Sequence, residues 1–105
     1  MPFEISLAGQ VGLVTGAGTP YGIGRSLVIQ LAKAGAKAIY ACDLNTAHFD
    51  GLKQAVVETG SNCVVEGTFL DVSSEEQTVA VLKKIVKRHG RFDFFFANAG
   101  FANYR

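Results

Sequence analysis

Glycines concentrated between residues 15 and 24 constrain the fold of this chain more than any other feature. The segment reads TGAGTPYGIG and lies between a short apolar run, residues 11–14, and a stretch with helical periodicity. Glycine is required where the backbone takes a positive φ or where no Cβ fits beside a neighbouring group. A helix that begins at such a loop directs free N–H groups outward and favours an anion such as a pyrophosphate. A glycine-rich turn without a ligand is the alternative that the spacing leaves open.

Short apolar runs predict four strands. They occupy residues 11–14, 36–42, 63–70 and 92–97, and three stretches of helical periodicity separate them. The order β-α-β-α-β-α-β with right-handed crossovers predicts an α/β fold, a Rossmann-type parallel sheet with helices on both faces. Ligands of such sheets bind at the carboxyl ends of the strands, where the strand order reverses.

The three helical stretches carry recognisable ends. The first opens at the glycine segment and ends at Gly35, and the second covers residues 46–59. The third opens at Ser73, which forms a capping-box pattern with Glu76, and closes at Gly90. Its apolar residues are predicted to face inward, and they are Val79, Leu82, Ile85 and Val86.

An acidic residue at the end of the second predicted strand has the spacing of a ribose-binding acid. Asp43 follows Gly24 by 19 residues, close to the ~20 expected for a carboxylate that accepts hydrogen bonds from an adenosine ribose. Its charge would repel a 2′-phosphate, so NAD is favoured over NADP. Arg25 would tolerate NADP if it reached the 2′ position, although a solvated first-turn side chain is the simpler interpretation. A solvated strand-end carboxylate or a cap on the next turn is the alternative for Asp43.

Composition excludes several classes of function. The 105 residues are 49% hydrophobic and 18% charged, with a net charge of +1. Such a chain can bury a core, and its near-zero charge argues against binding to nucleic acid or an anionic membrane. It has no apolar run of the roughly 20 residues that span a bilayer, and no secretory signal pattern. Two cysteines are too few for a disulfide framework or a zinc site. We expect one soluble, cytoplasmic domain.

Three segments resemble motifs of the short-chain dehydrogenase/reductase family. The glycine segment, from Val14 to Gly24, resembles the family signature Thr-Gly-xxx-Gly-Ile-Gly. Leu70-Asp71-Val72 resembles the Asp-Val pair that contacts adenine, and residues 97–100, Ala-Asn-Ala-Gly, resemble the Asn-Asn-Ala-Gly motif after the fourth strand. With Asp43 these make four signals in order, and the resemblance covers nearly the whole chain.

The resemblance implies a cofactor site residue by residue. The residues expected to bind the dinucleotide are Gly16, Gly18, Gly22, Ile23, Gly24, Asp43, Asp71, Val72, Asn98, Ala99 and Gly100. Gly16, Gly22 and Gly24 would line the pyrophosphate, and Ile23 would offer its N–H to a phosphate oxygen or pack on the nicotinamide side. Asp43 would hold the adenine ribose, and Asp71 with Val72 would contact the adenine. Residues 98–100 would border the nicotinamide ribose. Asp71 as a cap for the helix at Ser73, and Asn98 as a purely structural amide, are the alternatives.

Two departures from the family pattern affect this expectation. Five residues separate Gly16 from Gly22, where the family has three between the corresponding glycines, so the phosphate loop is longer. Ala97 replaces the first Asn of the fourth-strand motif and removes one hydrogen-bonding side chain.

The family's catalytic Ser and Tyr-xxx-Lys pattern is missing from these 105 residues. The expected function is therefore the dinucleotide-binding half of a short-chain oxidoreductase acting on an alcohol or carbonyl, an incomplete domain truncated after the fourth strand. The alternatives are a non-catalytic NAD(P)-binding fragment and a truncated product without activity of its own. Because the phenylalanine-rich fourth strand would lie at an open sheet edge, self-association is expected.

Overall fold

The computed structural model describes residues 6–98, and these form seven elements. In chain order they are β1 Val11–Thr15, α1 Ile23–Lys33, β2 Ala38–Asp43, α2 Phe49–Glu58, β3 Val64–Phe69, α3 Glu75–His89 and β4 Phe94–Phe96. None of the helices within this range is long and apolar enough to cross a membrane. The predicted order of strands and helices is confirmed.

The four strands form one parallel sheet in the order β3-β2-β1-β4. Strand order therefore reverses between β1 and β4, as the Rossmann-type interpretation predicts. The central strand β1 is buried along its whole length, because it has a neighbour on each side and helices over both faces.

Two apolar layers hold the helices on the sheet, and alternate residues of β2 point into them. Ile39 and Ala41 face the layer that α1 and α2 cover. Tyr40 and Cys42 face the opposite layer, where Ile85 of α3 packs. This period of two is the expected geometry of a strand buried on both faces. The fold of the described residues is thus two helices, a sheet and one helix in three layers.

Several element boundaries differ from the sequence expectations. Strand β2 begins two residues later than the apolar run that starts at Ala36, and β4 covers only Phe94–Phe96. Helix α3 is capped by Ser74 and not by Ser73: the Ser74 side chain accepts from the N–H of Gln77 at 3.2 Å. Ser74 and Gln77 also have the spacing of a capping box, so the sequence offered two candidates one residue apart.

The prediction of which residues of α3 face the sheet is wrong in part. Ile85 is fully buried and Leu82 is half-buried, but Val79 and Val86 are 40% and 48% exposed. The helix instead turns Val81 toward the sheet beside Leu82 and Ile85. The rotation of a helix about its axis is set by the residues that fit the twisted sheet below it, and spacing alone does not specify which of two overlapping apolar stripes packs.

Candidate cofactor-binding site

The carboxyl ends of all four strands meet along one edge of the sheet, and backbone hydrogen bonds join them. The N–H of Ala17, just after β1, donates to the carbonyl of Cys42 at 3.2 Å, and the N–H of Leu70, after β3, donates to the carbonyl of Asp43 at 3.1 Å. The N–H of Asn98, after β4, donates to the Thr15 hydroxyl at 2.9 Å. The segments predicted to form the site are therefore neighbours in space.

Two glycines allow the loop after β1 to pass close to the start of α1. Gly16 has φ of 70°, a left-handed conformation that favours glycine. A Cβ on Gly24 would collide with the carbonyl oxygen of Gly16 and lie 3.0 Å from Nδ2 of Asn98. Loop and helix can approach each other this closely only because residue 24 has no side chain. The Asn98 side-chain amide lies close to this junction.

The first turn of α1 presents uncapped backbone N–H groups. Its N-cap is Gly22, no side chain of the described residues caps it, and no acidic residue lies in the first turn. Helix α3 is the contrast, because Ser74 caps it and Glu75 and Glu76 occupy its first turn. The N-terminus of α1 therefore retains both the free donors and the positive end of the helix dipole that an anion requires.

Asp43 lies directly against the glycine loop. Its Oδ2 accepts from the N–H of Gly18 at 2.8 Å and its Oδ1 accepts from the N–H of Asn45 at 3.1 Å. The capping alternative for this residue is thus realised, since the carboxylate caps the turn that follows β2. An ionised carboxylate has about four acceptor positions. Each Asp43 oxygen can accept a further hydrogen bond beyond the one that it makes to the backbone.

The loop has a turn at its tip, from Thr19 to Gly22. Tyr21 in this turn is 97% exposed, and Ile23 at the start of α1 is 76% exposed. Side chains this exposed do not pack over the start of α1. Elsewhere in the segment Ala17, Gly18 and Gly24 are buried.

Asp71 has a structural role in the turn before α3. Its Oδ1 accepts from the Ser73 hydroxyl at 2.6 Å and from the Ser73 N–H at 3.0 Å. These hydrogen bonds, the one from the hydroxyl first, lower the pKa of the Asp71 carboxyl below its usual value. Gln77 closes the same turn by accepting from the Asp71 N–H at 3.1 Å. Val72 beside it is 45% exposed. Asp71 thus caps the turn that precedes α3, whereas the N-cap of the helix itself is Ser74.

Thr15 is a part of the site that the sequence analysis did not assign. Its hydroxyl donates to the carbonyl of Phe96 at 3.4 Å and accepts from the N–H of Asn98. It is almost fully buried and ties the end of β4 to the end of β1. A β-branched hydroxyl at the last position of a buried strand was the available signal. The contact of Asn45 with Asp43 was not predicted either, because its donor is a backbone N–H. Ala99 and Gly100 lie outside the described residues.

A separate open cleft of about 540 Å³ lies at the amino ends of the strands, on the side of the sheet away from the candidate site. Its lining includes Gly9, Lys37 and Cys63, which precede β1, β2 and β3 respectively. None of the predicted site residues lines it. Within residues 6–98 no group of three His, Cys, Asp or Glu could hold a metal ion.

Comparison with known proteins identifies the family. The model of the short chain dehydrogenase family matches residues 10–105. Levodione reductase of Leifsonia aquatica is 40% identical over 91 residues, which make up 87% of this chain and 33% of that protein. The chain spans about a third of the length of the curated relatives that it matches.

Solved structures share the fold over most of the chain. A short-chain dehydrogenase/reductase from Burkholderia xenovorans superposes with a TM-score of 0.80 and 32% identity, covering 90% of this chain and 36% of that one. NAD+-bound xylitol dehydrogenase superposes with a TM-score of 0.70 and 36% identity, covering 90% of this chain and 35% of that one. A metagenomic short-chain oxidoreductase in complex with NADP superposes with a TM-score of 0.74 and 27% identity. The superposition covers 85% of this chain and 38% of that one. With its glycine loop and strand-end acid, this chain belongs to the short-chain dehydrogenase/reductase family of oxidoreductases, which use nicotinamide dinucleotide cofactors.

Proposed function

We propose that residues 1–105 form the NAD(P)-binding half-domain of a short-chain oxidoreductase that transfers hydride between NAD(H) and an alcohol or carbonyl substrate. The proposal rests above all on one observation, the position of the Asp43 carboxylate beside the glycine loop, 2.8 Å from the N–H of Gly18. That position puts an acceptor for sugar hydroxyls next to a helix N-terminus suited to a diphosphate.

The diphosphate would bind the first turn of α1. Gly22 and Gly24 allow close approach there, and the N–H groups of Ile23 and Gly24 belong to the uncapped turn. Gly16 completes the bend, because its positive φ directs the chain away from β1 toward the helix. Fixed backbone dipoles of this kind stabilise an anion without having to reorganise when it binds.

The two nucleosides would lie on either side of this loop. On the adenosine side Asp43 would accept from the ribose hydroxyls, and Asp71 with Val72 would contact the adenine at the end of β3. On the nicotinamide side residues 98–100 would border the other ribose. The exposed Val72 side chain supports the adenine assignment, since a flat apolar ring requires an accessible apolar surface.

NAD is the proposed cofactor in preference to NADP. A 2′-phosphate would have to replace a hydroxyl beside the Asp43 carboxylate, which already bears a negative charge in a half-buried position. Like charges a few ångströms apart repel strongly at a site of this kind. Arg25, also half-buried at the first turn of α1, is the residue through which NADP could still be tolerated.

The described residues would bind and orient the cofactor without carrying the proton transfer. Nicotinamide, when bound, supplies the hydride donor or acceptor. No Tyr-xxx-Lys pattern occurs within the 105 residues, so these residues offer no counterpart of the family's acid–base pair. The second candidate is a non-catalytic dinucleotide-binding module that acts through cofactor occupancy.

The cysteines support the proposed cytoplasmic location. Cys42 and Cys63 are both free. Burial is the main cause that raises the pKa of the Cys42 thiol to about 12 and that of the Cys63 thiol to about 11. Both are therefore protonated at neutral pH and act as small apolar side chains, which suits a reducing compartment.

Calorimetric titration of the chain with NAD and with NADP tests the proposal. We expect NAD to bind more tightly than NADP, and D43A to lose about tenfold or more in NAD affinity, the loss expected when a charged hydrogen-bond acceptor is removed. The matched control is D50A, at an exposed carboxylate in the first turn of α2, which leaves both affinities unchanged. Failure of the unmodified chain to bind either dinucleotide would overturn the proposal. Alcohol oxidation by the chain alone would reject the non-catalytic module.

A further inference from the structure

Gly18 occupies a different environment from the other loop glycines. It is buried, as Gly24 is, but its N–H donates to the carboxylate of Asp43, 25 residues further along the chain. An N–H that donates to a carboxylate at 2.8 Å is not available to a phosphate oxygen. Gly18, which is among the residues expected to bind the cofactor, therefore has no N–H to offer to the diphosphate.

Space, and not backbone conformation, requires glycine at this position. The φ of Gly18 is outside the positive range found for Gly16. A Cβ added to Gly18 would collide with the carbonyl oxygen of Asn45 and would lie 2.7 Å from both Cβ and Cγ of Asp43. Any side chain at residue 18 must therefore displace Asp43 or the backbone at Asn45.

The Asp43 carboxylate is consequently held at both of its oxygens. Gly18 donates to Oδ2 and Asn45 donates to Oδ1. Two backbone donors on different segments fix the plane of the carboxylate. The acceptor positions that remain, one or more on each oxygen, are in a suitable arrangement for the two adjacent hydroxyls of a ribose. Fixing an acceptor before the ligand arrives lowers the entropy lost on binding.

We propose that Gly18 is a positioning residue, whose N–H and lack of a side chain hold the Asp43 carboxylate in place for the vicinal diol of the adenosine ribose. This inference rests on the proposed function. It makes the ribose subsite at Asp43 and the glycine loop at Gly18 interdependent. A substitution at Asp43 intended to switch the cofactor from NAD to NADP would also release the loop at Gly18, so such a switch requires compensating changes in the loop.

The first test measures how G18A changes discrimination between ADP and 2′-deoxy-ADP, by calorimetry. The unmodified chain should prefer ADP by about tenfold, the value of a hydrogen bond to a charged group. In G18A this preference should fall below about threefold, because ADP loses the contacts of both hydroxyls with Asp43 whereas 2′-deoxy-ADP has only the 3′ hydroxyl to lose. The control is G51A, because a Cβ on Gly51 meets nothing within 4 Å. Retention of the full preference in G18A would overturn the proposal, since a purely structural loss would weaken both nucleotides equally.

A second measurement uses the unmodified chain and does not depend on whether G18A folds. Amide chemical shifts are followed by NMR during titration with inorganic pyrophosphate and, separately, with adenosine. Pyrophosphate should shift the amides of Ile23 and Gly24 and leave Gly18 nearly unchanged, whereas adenosine should shift Gly18. A pyrophosphate response at Gly18 as large as that at Gly24 would contradict the proposal. Absence of any response to ADP or NAD would instead reject the proposed function itself.

Discussion

The hydroxyl of Tyr40 lies 3.1 Å from Nε2 of His89, and this contact joins the centre of the sheet to the end of α3. Tyr40 on β2 is 1% exposed, and the two rings meet edge to face with centroids 5.8 Å apart. A buried phenol requires a hydrogen-bond partner. Neutral His89 can accept the phenolic proton at Nε2, whereas a doubly protonated ring cannot.

Stability should therefore fall as the pH drops below about 6.5, the ordinary pKa of a histidine. Desolvation, and then the charges of Lys37 and Arg88, lower the pKa of His89, while Glu66 acts in the opposite direction. The folded pKa thus lies below the unfolded value of about 6.5. The unfolded state binds the proton first, so the contribution of His89 is complete above pH 6.5 and is lost as the pH falls through the folded pKa. Urea unfolding across this range measures the loss.

The variant H89Q separates this effect from other titrations. Glutamine can still hydrogen-bond to Tyr40 but does not titrate, so its stability should be flatter between pH 7 and pH 5. His48, which is exposed at the start of α2, remains in both proteins as an internal control. An unchanged pH slope in H89Q would show that His89 is not the responsible group.

Asp93 should link β4 to β1 in a pH-dependent way. Its carboxylate accepts from the N–H of Val11 at 2.7 Å and from the Arg91 guanidinium at 2.8 and 3.0 Å. Arg91 first and Val11 next lower the pKa of this carboxyl. Its stabilising contribution is therefore present above the unfolded value of about 3.9 and is lost as the pH falls through the lower folded pKa. We expect D93N to reduce the urea midpoint at pH 7 and to reduce it far less at pH 3. E58Q, at an exposed carboxylate, should behave like the unmodified chain at both values.

Gly12 on β1 should be intolerant of any side chain. The ring of Phe94, its register partner on β4, occupies the place that a Cβ on Gly12 would take. G12A should reduce the free energy of unfolding by about 1–3 kcal/mol, as overpacking of a core does. In the exposed helical position of Gly51, alanine should instead stabilise by up to about 1 kcal/mol. Combining G12A with F94L should recover part of the loss, and strictly additive losses would contradict the steric explanation.

The fourth strand should promote self-association. Within residues 6–98 β4 lies at an edge of the sheet, with β1 as its neighbour, and Phe95 and Phe96 are 41% and 39% exposed. An apolar strand edge is a site for pairing with another chain. Sedimentation velocity should show larger species as concentration rises, and F95K should reduce them. A monodisperse monomer of the unmodified chain at tens of micromolar would contradict this prediction.

Local signals in the sequence were sufficient for the order of elements. Gly35, Gly60 and Gly90 end their helical segments with positive φ, as expected for residues without a Cβ. The apolar runs located all four strands. For β1 and β2 the reason is that strands covered on both faces require continuous hydrophobic segments. The position of Asp43 beside the glycine loop also follows from topology, since both segments end strands of the same sheet.

Relationships that depend on tertiary packing were not predictable in this way. The exposure of Val79 and Val86 results from the rotation of α3 on the sheet, which helical spacing does not determine. The hydrogen bond between Gly18 and Asp43 joins residues 25 positions apart and involves a backbone donor, which has no residue-specific signature. The link that Thr15 makes between β1 and β4 was not predicted for the same reason. Its hydroxyl contacts the backbone carbonyl of Phe96 and the backbone N–H of Asn98.

A crystal structure of this chain grown with NAD tests the central claim most directly. We predict that diphosphate oxygens lie about 3 Å from the N–H groups of Ile23 and Gly24, a normal hydrogen-bond distance, and that ribose hydroxyls contact the Asp43 carboxylate. A dinucleotide bound elsewhere, with its sugar away from Asp43 and the glycine loop closed over the start of α1, would contradict the account.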